Sequence, residues 1–257
     1  MKRSDRRKRR RFLARALGLA GVGALAGCEK LSQTTWFPAV LGKADVLSEG
    51  AAKLVRRKAL AQEFSPEERS PTFRSNGTAD PGTDDYQALV ADGFAGYRLV
   101  VDGLVESPRQ WTLAELRAMP SRSQITRHDC VEGWSAIAQW QGARLSAVLA
   151  AVRPKPEARY VVFHCADPME SDGTDLYYES IDFDDAYHEQ TILAYELNGQ
   201  PLPVKNGAPL RLRVERQLGY KHAKYVMRLE LVSSFAGIGG GNGGYWEDQG
   251  YQWYAGI

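Results

Sequence analysis

Cysteine is scarce in this chain: Cys28, Cys130 and Cys165 are the three present among 257 residues. That excludes a disulfide-dense scaffold. No Cys-x-x-Cys or His-Glu-x-x-His spacing is there to build a zinc site, and no Cys-x-x-Cys-His to attach haem. The glycine run at 237–244 is not followed by Gly-Lys-[Ser/Thr], so a P-loop is excluded. There is no repeat of fixed period, and the one long apolar run lies near the N-terminus. Positive charge is also thinner than it looks. The formal net charge is +2, but nine of the 33 Lys and Arg and one of the 31 acids fall within residues 1–27. The remainder holds 24 basic and 30 acidic residues, a net charge of −6. It leaves no persistent basic patch for a nucleic-acid partner.

What the N-terminus does contain is an address. Arg9-Arg10-Arg11-Phe12-Leu13 is a twin-arginine pattern in a basic stretch, opening an apolar run that closes on Leu25-Ala26-Gly27-Cys28. A run this short, ending in small residues, reads as an export signal, since about 20 apolar residues are needed to cross a bilayer. The twin-arginine route carries proteins already folded, which suits a chain that acquires a bulky cofactor before export. Leu-Ala-Gly-Cys resembles a bacterial lipobox, predicting acylation of Cys28. The expected organisation is a signal over 1–27, a tether and N-terminal helix over 28–71, and one catalytic domain over 72–257. The expected location is the periplasmic or cell-surface side, held to the membrane by lipid.

Along the chain, 44–62 has the spacing of an amphipathic helix, and Ser65-Pro66-Glu67-Glu68 reads as a one-turn helix start. Residues 74–83, rich in Asn, Gly, Asp and Pro, read as a loop. Strands are expected at 97–105, 124–131, 159–165, 177–183, 210–215 and 225–232. Thr112-Leu113-Ala114-Glu115 is a capping box for a short helix ending near Pro120. Residues 145–152 form a second helix stopped by Arg153-Pro154, and Asn198-Gly199 marks a tight turn. The sum is a strand-dominated α+β domain.

Chemistry concentrates around Arg127-His128-Asp129-Cys130-Val131-Glu132-Gly133-Trp134-Ser135, followed by Trp140 and Gly142. A cysteine leaving a strand into a loop with glycine and tryptophans is placed to face a cavity, and thiolate is a soft ligand for a transition metal. With Cys165, it also supplies the pair that a single disulfide would need in an oxidising compartment. His128 reads either as a group supporting the metal or as a surface or capping histidine. Asp167, Glu170, Asp172 and Asp175 read as a solvated acidic loop, as do Asp182, Asp184 and Asp185. The five aromatics between Tyr245 and Tyr254 read equally as a lid or as packing on the sheet.

Cys130-Val131-Glu132-Gly133-Trp134-Ser135 with Trp140-Gln141-Gly142, then Asn206-Gly207-Ala208-Pro209-Leu210-Arg211, then Gly219-Tyr220-Lys221-His222-Ala223-Lys224, resemble in order three blocks of one family. It is that of the sulfite-oxidase-fold molybdenum enzymes, and the branch most similar is the periplasmic protein-methionine-sulfoxide reductase catalytic subunit. The resemblance runs from about Asn76 to Ile257. It implies a sulfite-oxidase-type fold and a molybdenum–molybdopterin cofactor with Cys130 as the sole protein ligand. By the same resemblance Asn206 and Arg211 hold the pterin, and His222, Ala223 and Lys224 surround its phosphate. Asn76 lies where the family places another pterin contact. Cys165 stands where the reductase branch has a threonine touching the cofactor.

The activity so implied is oxygen-atom or two-electron transfer at molybdenum, with sulfoxide reduction first and sulfite oxidation second. Sulfite would call for arginines converging on the metal, for which Arg127 is the candidate. With too little chain after the catalytic domain for the immunoglobulin-like dimerisation domain of sulfite oxidases, and no haem-attachment motif, the expectation is a monomer served by an external redox partner such as a membrane haem protein or cytochrome. The rival from another class is a lipoprotein binding module that keeps the fold, lacks the metal and bridges Cys130 to Cys165.

Overall fold

The computed structural model describes residues 59–170, 173 and 175–257, with isolated positions 34, 36 and 50. The chain divides into two compact units, Met1–Arg56 and Arg57–Ile257. The expected export signal, Cys28 and, apart from Gly50, residues 44–58 of the helix expected over 44–62 lie outside the described residues. Residues 59–62, the rest of that expected helix, are irregular. This stretch, part of the second unit, is held by Ala61 N–H donating to Gln190 Oε1 (2.8 Å) and Phe64 N–H to Ile125 O (2.9 Å). Pro66–Glu68 forms the single turn expected, a 3-10 turn with a Ser65/Glu68 capping box.

Two five-stranded sheets make up this unit, as expected for a strand-dominated α+β fold. The first runs β2 (Arg109–Thr112), β1 (Arg98–Gly103), β10 (Val226–Val232), β5 (Tyr160–Pro168), β6 (Leu176–Asp182). Only the β1–β10 pair in it is parallel. The second runs β3 (Ser121–Asp129), β4 (Ser135–Arg144), β7 (Ile192–Leu197), β8 (Gln200–Pro201), with β9 (Arg211–Arg213) also on β7. The helices are α1 (Asp84–Ala91), α2 (Leu113–Ala118), α3 (Leu145–Val152), α4 (Phe183–Ala186) and α5 (Tyr245–Asp248).

Alternation builds the core. Leu99 and Val101 of β1, Val161 and Phe163 of β5, and Leu229 and Leu231 of β10 point into one cluster, which Leu193 and Leu212 of the second sheet also join. Helix α3 adds Leu145, Val148, Leu149 and Val152, an i, i+3, i+4, i+7 stripe, and all four are fully buried. It ends because Arg153 turns left-handed (φ 51°) ahead of Pro154. Helix α2 starts on the expected box, with Glu115 N–H donating to Thr112 Oγ1 (3.1 Å) and Thr112 N–H to Glu115 Oε2 (2.8 Å). Asn198 and Gly199 both take positive φ at the β7–β8 turn (53° and 75°).

Strand β4 carries Ala138 and Trp140 on one face, where they join a second cluster with Ile192, Ala194 and Phe73. A register shift at Gln141/Gly142 then turns Ala143 to the main core. Gly142 is required at this bulge: a Cβ there would sit 2.2 Å from Leu193 O. Gly142→Ala is therefore expected to cost about 1–3 kcal/mol, the range for overpacking. The urea midpoint measures it, and an unchanged midpoint would contradict this packing.

Candidate active site

Cys130 leaves the end of β3 in a tight loop. Its N–H donates to Trp134 O (2.9 Å), Gly133 N–H donates to its carbonyl (3.0 Å), and Gly133 takes φ 85°. This loop turns Cys130 into a cavity of about 180 Å³ whose wall includes Asn76, Thr78, Cys130, Asp167, His222 and Lys224. Burial pushes the Cys130 thiol up, and it is free, as is Cys165. The bridge of the binding-module alternative is not formed. Glu132, beside Cys130, accepts from Trp134 Nε1 at 2.8 Å.

Behind the wall lies a buried polar layer. Trp140 is flanked by two guanidiniums, Arg211 at 4.9 Å and Arg213 at 4.4 Å from its ring centre. Arg213 donates to both Glu215 and His128 Nδ1, the latter at 2.9 Å. His128 is thus neither a surface nor a capping histidine: it is 1% exposed, and burial followed by Arg213 pushes its pKa well down. Gly219 gives it room, since a Cβ there would lie 2.6 Å from His128 Nε2. Arg211 donates to the carbonyls of Asn206 (3.0 Å) and His222 (3.4 Å), tying two of the motif blocks together.

The expected site residues therefore separate. Asn76, Cys130, His222 and Lys224 face the cavity. Asn206, Arg211 and Ala223 sit buried behind it. Cys165, on β5, has its thiol among core residues, with Phe163 O at 3.9 Å. Arg127 does not converge on the cavity. It is half exposed and pairs with Asp129 at 2.9 Å, because it alternates outward on β3.

Asp167 is the clearest departure from the sequence reading. It is 4% exposed, on the wall with Lys224, and not in a solvated loop. The sign available in sequence was its parity with Cys165 on one strand face. Asp185 also is buried, accepting from Arg216 (2.5 Å) and Gln217 (2.6 Å). Of the C-terminal aromatics, Tyr245 and Trp246 pack on the core, and Trp246 and Tyr251 line the cavity.

Burial raises Asp167 from 3.8 to about 6, against the pull of Lys224. Lys224 is pushed down to about 7 by burial and Arg211. Its ammonium donates to Thr78 O. Asp167 holds its proton more tightly in the folded than in the unfolded chain, so its contribution to stability is lost as pH rises from about 4 to 6. Asp167→Asn in cofactor-free protein is expected to flatten that slope in urea titrations. A slope equal to wild type would contradict it.

Residues 87–236 match the family model described as the oxidoreductase molybdopterin binding domain. The chain belongs to that family and is a molybdopterin-dependent oxidoreductase with the fold expected from its motifs. Among relatives, it is 37% identical over 255 residues to an Azospira oryzae protein named as a candidate protein-methionine-sulfoxide reductase subunit, YedZ1. That match covers 96% of this chain and 87% of the relative. It is also 37% identical over 158 residues to the protein-methionine-sulfoxide reductase catalytic subunit MsrP of Xanthomonas axonopodis, covering 58% of this chain and 49% of that one. The match to MsrP of Ralstonia nicotianae, 36% over 144 residues, covers 53% of this chain and 44% of that protein. The chain thus spans about half the length of these MsrP relatives. The sulfane dehydrogenase SoxCD of Paracoccus pantotrophus is similar with TM-score 0.48 and 20% identity, over 69% of this chain and 46% of that one.

The side chains present fit a pterin cofactor. Among the described residues, Asn76 Oδ1, Asp167 Oδ1, Asn206 Nδ2, Arg211 Nε and His222 Nδ1 are buried without a hydrogen-bond partner. Native proteins rarely leave such groups unpaired. A ring system with its own donors and acceptors, and a phosphate, would satisfy this mixed set.

Proposed function

We propose that this chain is an exported, lipid-anchored sulfoxide reductase in which Cys130 is the protein ligand of molybdenum. The observation that carries the reading is a free cysteine on one cavity wall with the unpaired buried atoms Asn76 Oδ1, Asp167 Oδ1 and His222 Nδ1, backed by those of Asn206 and Arg211. When bound, the cofactor supplies two-electron oxygen-atom chemistry, and the protein supplies position, charge and access. The overall reaction takes a sulfoxide, two electrons and two protons to a thioether and water.

The residues divide that work. Asn76, Asn206 and Arg211 would hold the pterin, with His222, Ala223 and Lys224 about its phosphate. Lys224 can neutralise the phosphate, and Asp167, protonated up to about pH 6, carries a proton at the wall. Electrons come from an external redox partner such as a membrane haem protein or cytochrome, and the twin-arginine leader and Cys28 would set the enzyme on the periplasmic or cell-surface side. Cofactor-loaded protein is expected to oxidise reduced viologen dye when methyl phenyl sulfoxide is added. Loaded protein that turns over sulfite and leaves every sulfoxide untouched would overturn the reading.

A further inference from the structure

The cavity has two kinds of wall. Its interior side carries the buried polar groups, with Lys224 5% and His222 3% exposed. Its outer side is aromatic and apolar: Val131 is 47% and Tyr251 40% exposed, and Met169 and Trp246 are partly buried. Buried groups meet what is resident, and exposed groups meet what arrives. Charge on the lining points the same way. Glu132 faces the cavity, Lys224 lies on the buried side where it donates to Thr78 O and would meet the cofactor's phosphate, and no arginine is among the described lining residues. Such a mouth repels a tetrahedral oxyanion and accepts a neutral molecule with an apolar substituent.

The outer wall is also rigidly mounted. Trp246 and Tyr251 lie with ring centres 5.3 Å apart, joined by Tyr251 N–H donating to Trp246 O (2.9 Å). Tyr251 meets Tyr220 edge-on at 5.3 Å. Beneath them Lys221 bridges Glu179 and Glu247, each at 2.5 Å and all but fully buried. Asp248 accepts from the backbone N–H groups of Gly240 (2.7 Å) and Asn242 (3.0 Å), fastening the glycine run beside them. A pre-formed aromatic surface of this kind suits sulfur, which contacts aromatic rings favourably.

We propose that Trp246 and Tyr251 are the specificity-determining residues of this enzyme, receiving the apolar substituent of a neutral organic sulfoxide and selecting it over oxyanions. This rests on the sulfoxide-reductase reading above, and the test separates the two. Methyl phenyl sulfone, which keeps the shape and is not reduced, reports binding by calorimetry in the cofactor-loaded protein without turnover. Wild type is expected to bind it at least roughly tenfold more tightly than sulfate, Trp246→Phe to retain that preference, and Trp246→Ala to lose it. Tyr251→Ala, at a half-exposed position, gives the second variant and is expected to weaken sulfone binding several-fold. In turnover, the same alanine variants are expected to raise KM for methyl phenyl sulfoxide more than KM for dimethyl sulfoxide. Sulfone binding by folded, molybdenum-loaded alanine variants within twofold of wild type would overturn the proposal. Wild type binding sulfone no better than sulfate would overturn it too, even with sulfoxide turnover intact. Trp246-dependent sulfone binding in a protein that reduces no sulfoxide would support the wall and sink the reductase reading instead.

Discussion

Cys130→Ala is expected to reduce sulfoxide turnover by more than about 100-fold. Groups that merely support a metal's ligands account for about 10–100-fold, and a ligand itself should exceed them. The side chain is small and sits at the cavity wall, outside both hydrophobic clusters, so the fold should survive its loss. Circular dichroism and the urea midpoint would stay near wild type while the reduced-viologen assay collapses. Cys130→Ser is the informative companion, because it keeps size and polarity but offers a hard oxygen in place of a soft sulfur. A serine variant with wild-type turnover would contradict the assignment.

Lys221→Met should produce the largest loss of stability. The ammonium is 1% exposed and bridges Glu179 and Glu247, whose side chains are 0% and 1% exposed. Burial pushes the Glu179 carboxyl well up, as expected when two carboxylates share one cation in a dry site. Removing one partner of a buried ion pair costs about 3–5 kcal/mol, since the charge left behind has no solvent. Most of this should return when Glu179→Gln and Glu247→Gln are added, since that leaves no stranded charge. The surface pair Arg153–Glu106, with side chains 62% and 54% exposed, gives the contrast. Breaking it should cost about 0–1 kcal/mol. Urea titrations of the two variants side by side check the difference; equal losses would contradict this ranking.

Much of the fold was legible where local chemistry and tertiary packing agree. Helix α3 has the bounds its apolar stripe and Arg153-Pro154 stop dictate, and α2 begins on its capping box. Strand β4 was not read, because Ser-Ala-Ile-Ala-Gln-Trp-Gln-Gly-Ala-Arg is poor in β-branched residues. It is a strand because β3 and β7 pair with it on either side. The arginine that sulfite oxidation would need faces outward on β3, an alternation that became fixed only with the register of that sheet.

For the site, three ordered motif blocks brought Cys130, His222 and Lys224 to one cavity with Asn206 and Arg211 behind it, and the looser loop match brought Asn76. Asp167 was missed because its acidic neighbours disguised it as a loop residue, whereas the strand carries it inward past Cys165. The aromatic cluster near the C-terminus could not be resolved between lid and packing from sequence. A buried lysine far back in the chain is what seats it, and sequence does not reveal that contact.

X-ray absorption at the molybdenum edge reads the bond between Cys130 and molybdenum itself. Protein carrying its own leader, and the matching Cys130→Ala variant, would be compared at equal metal loading. The prediction is a sulfur shell smaller by one atom in the variant. An identical sulfur shell in the two proteins would contradict it.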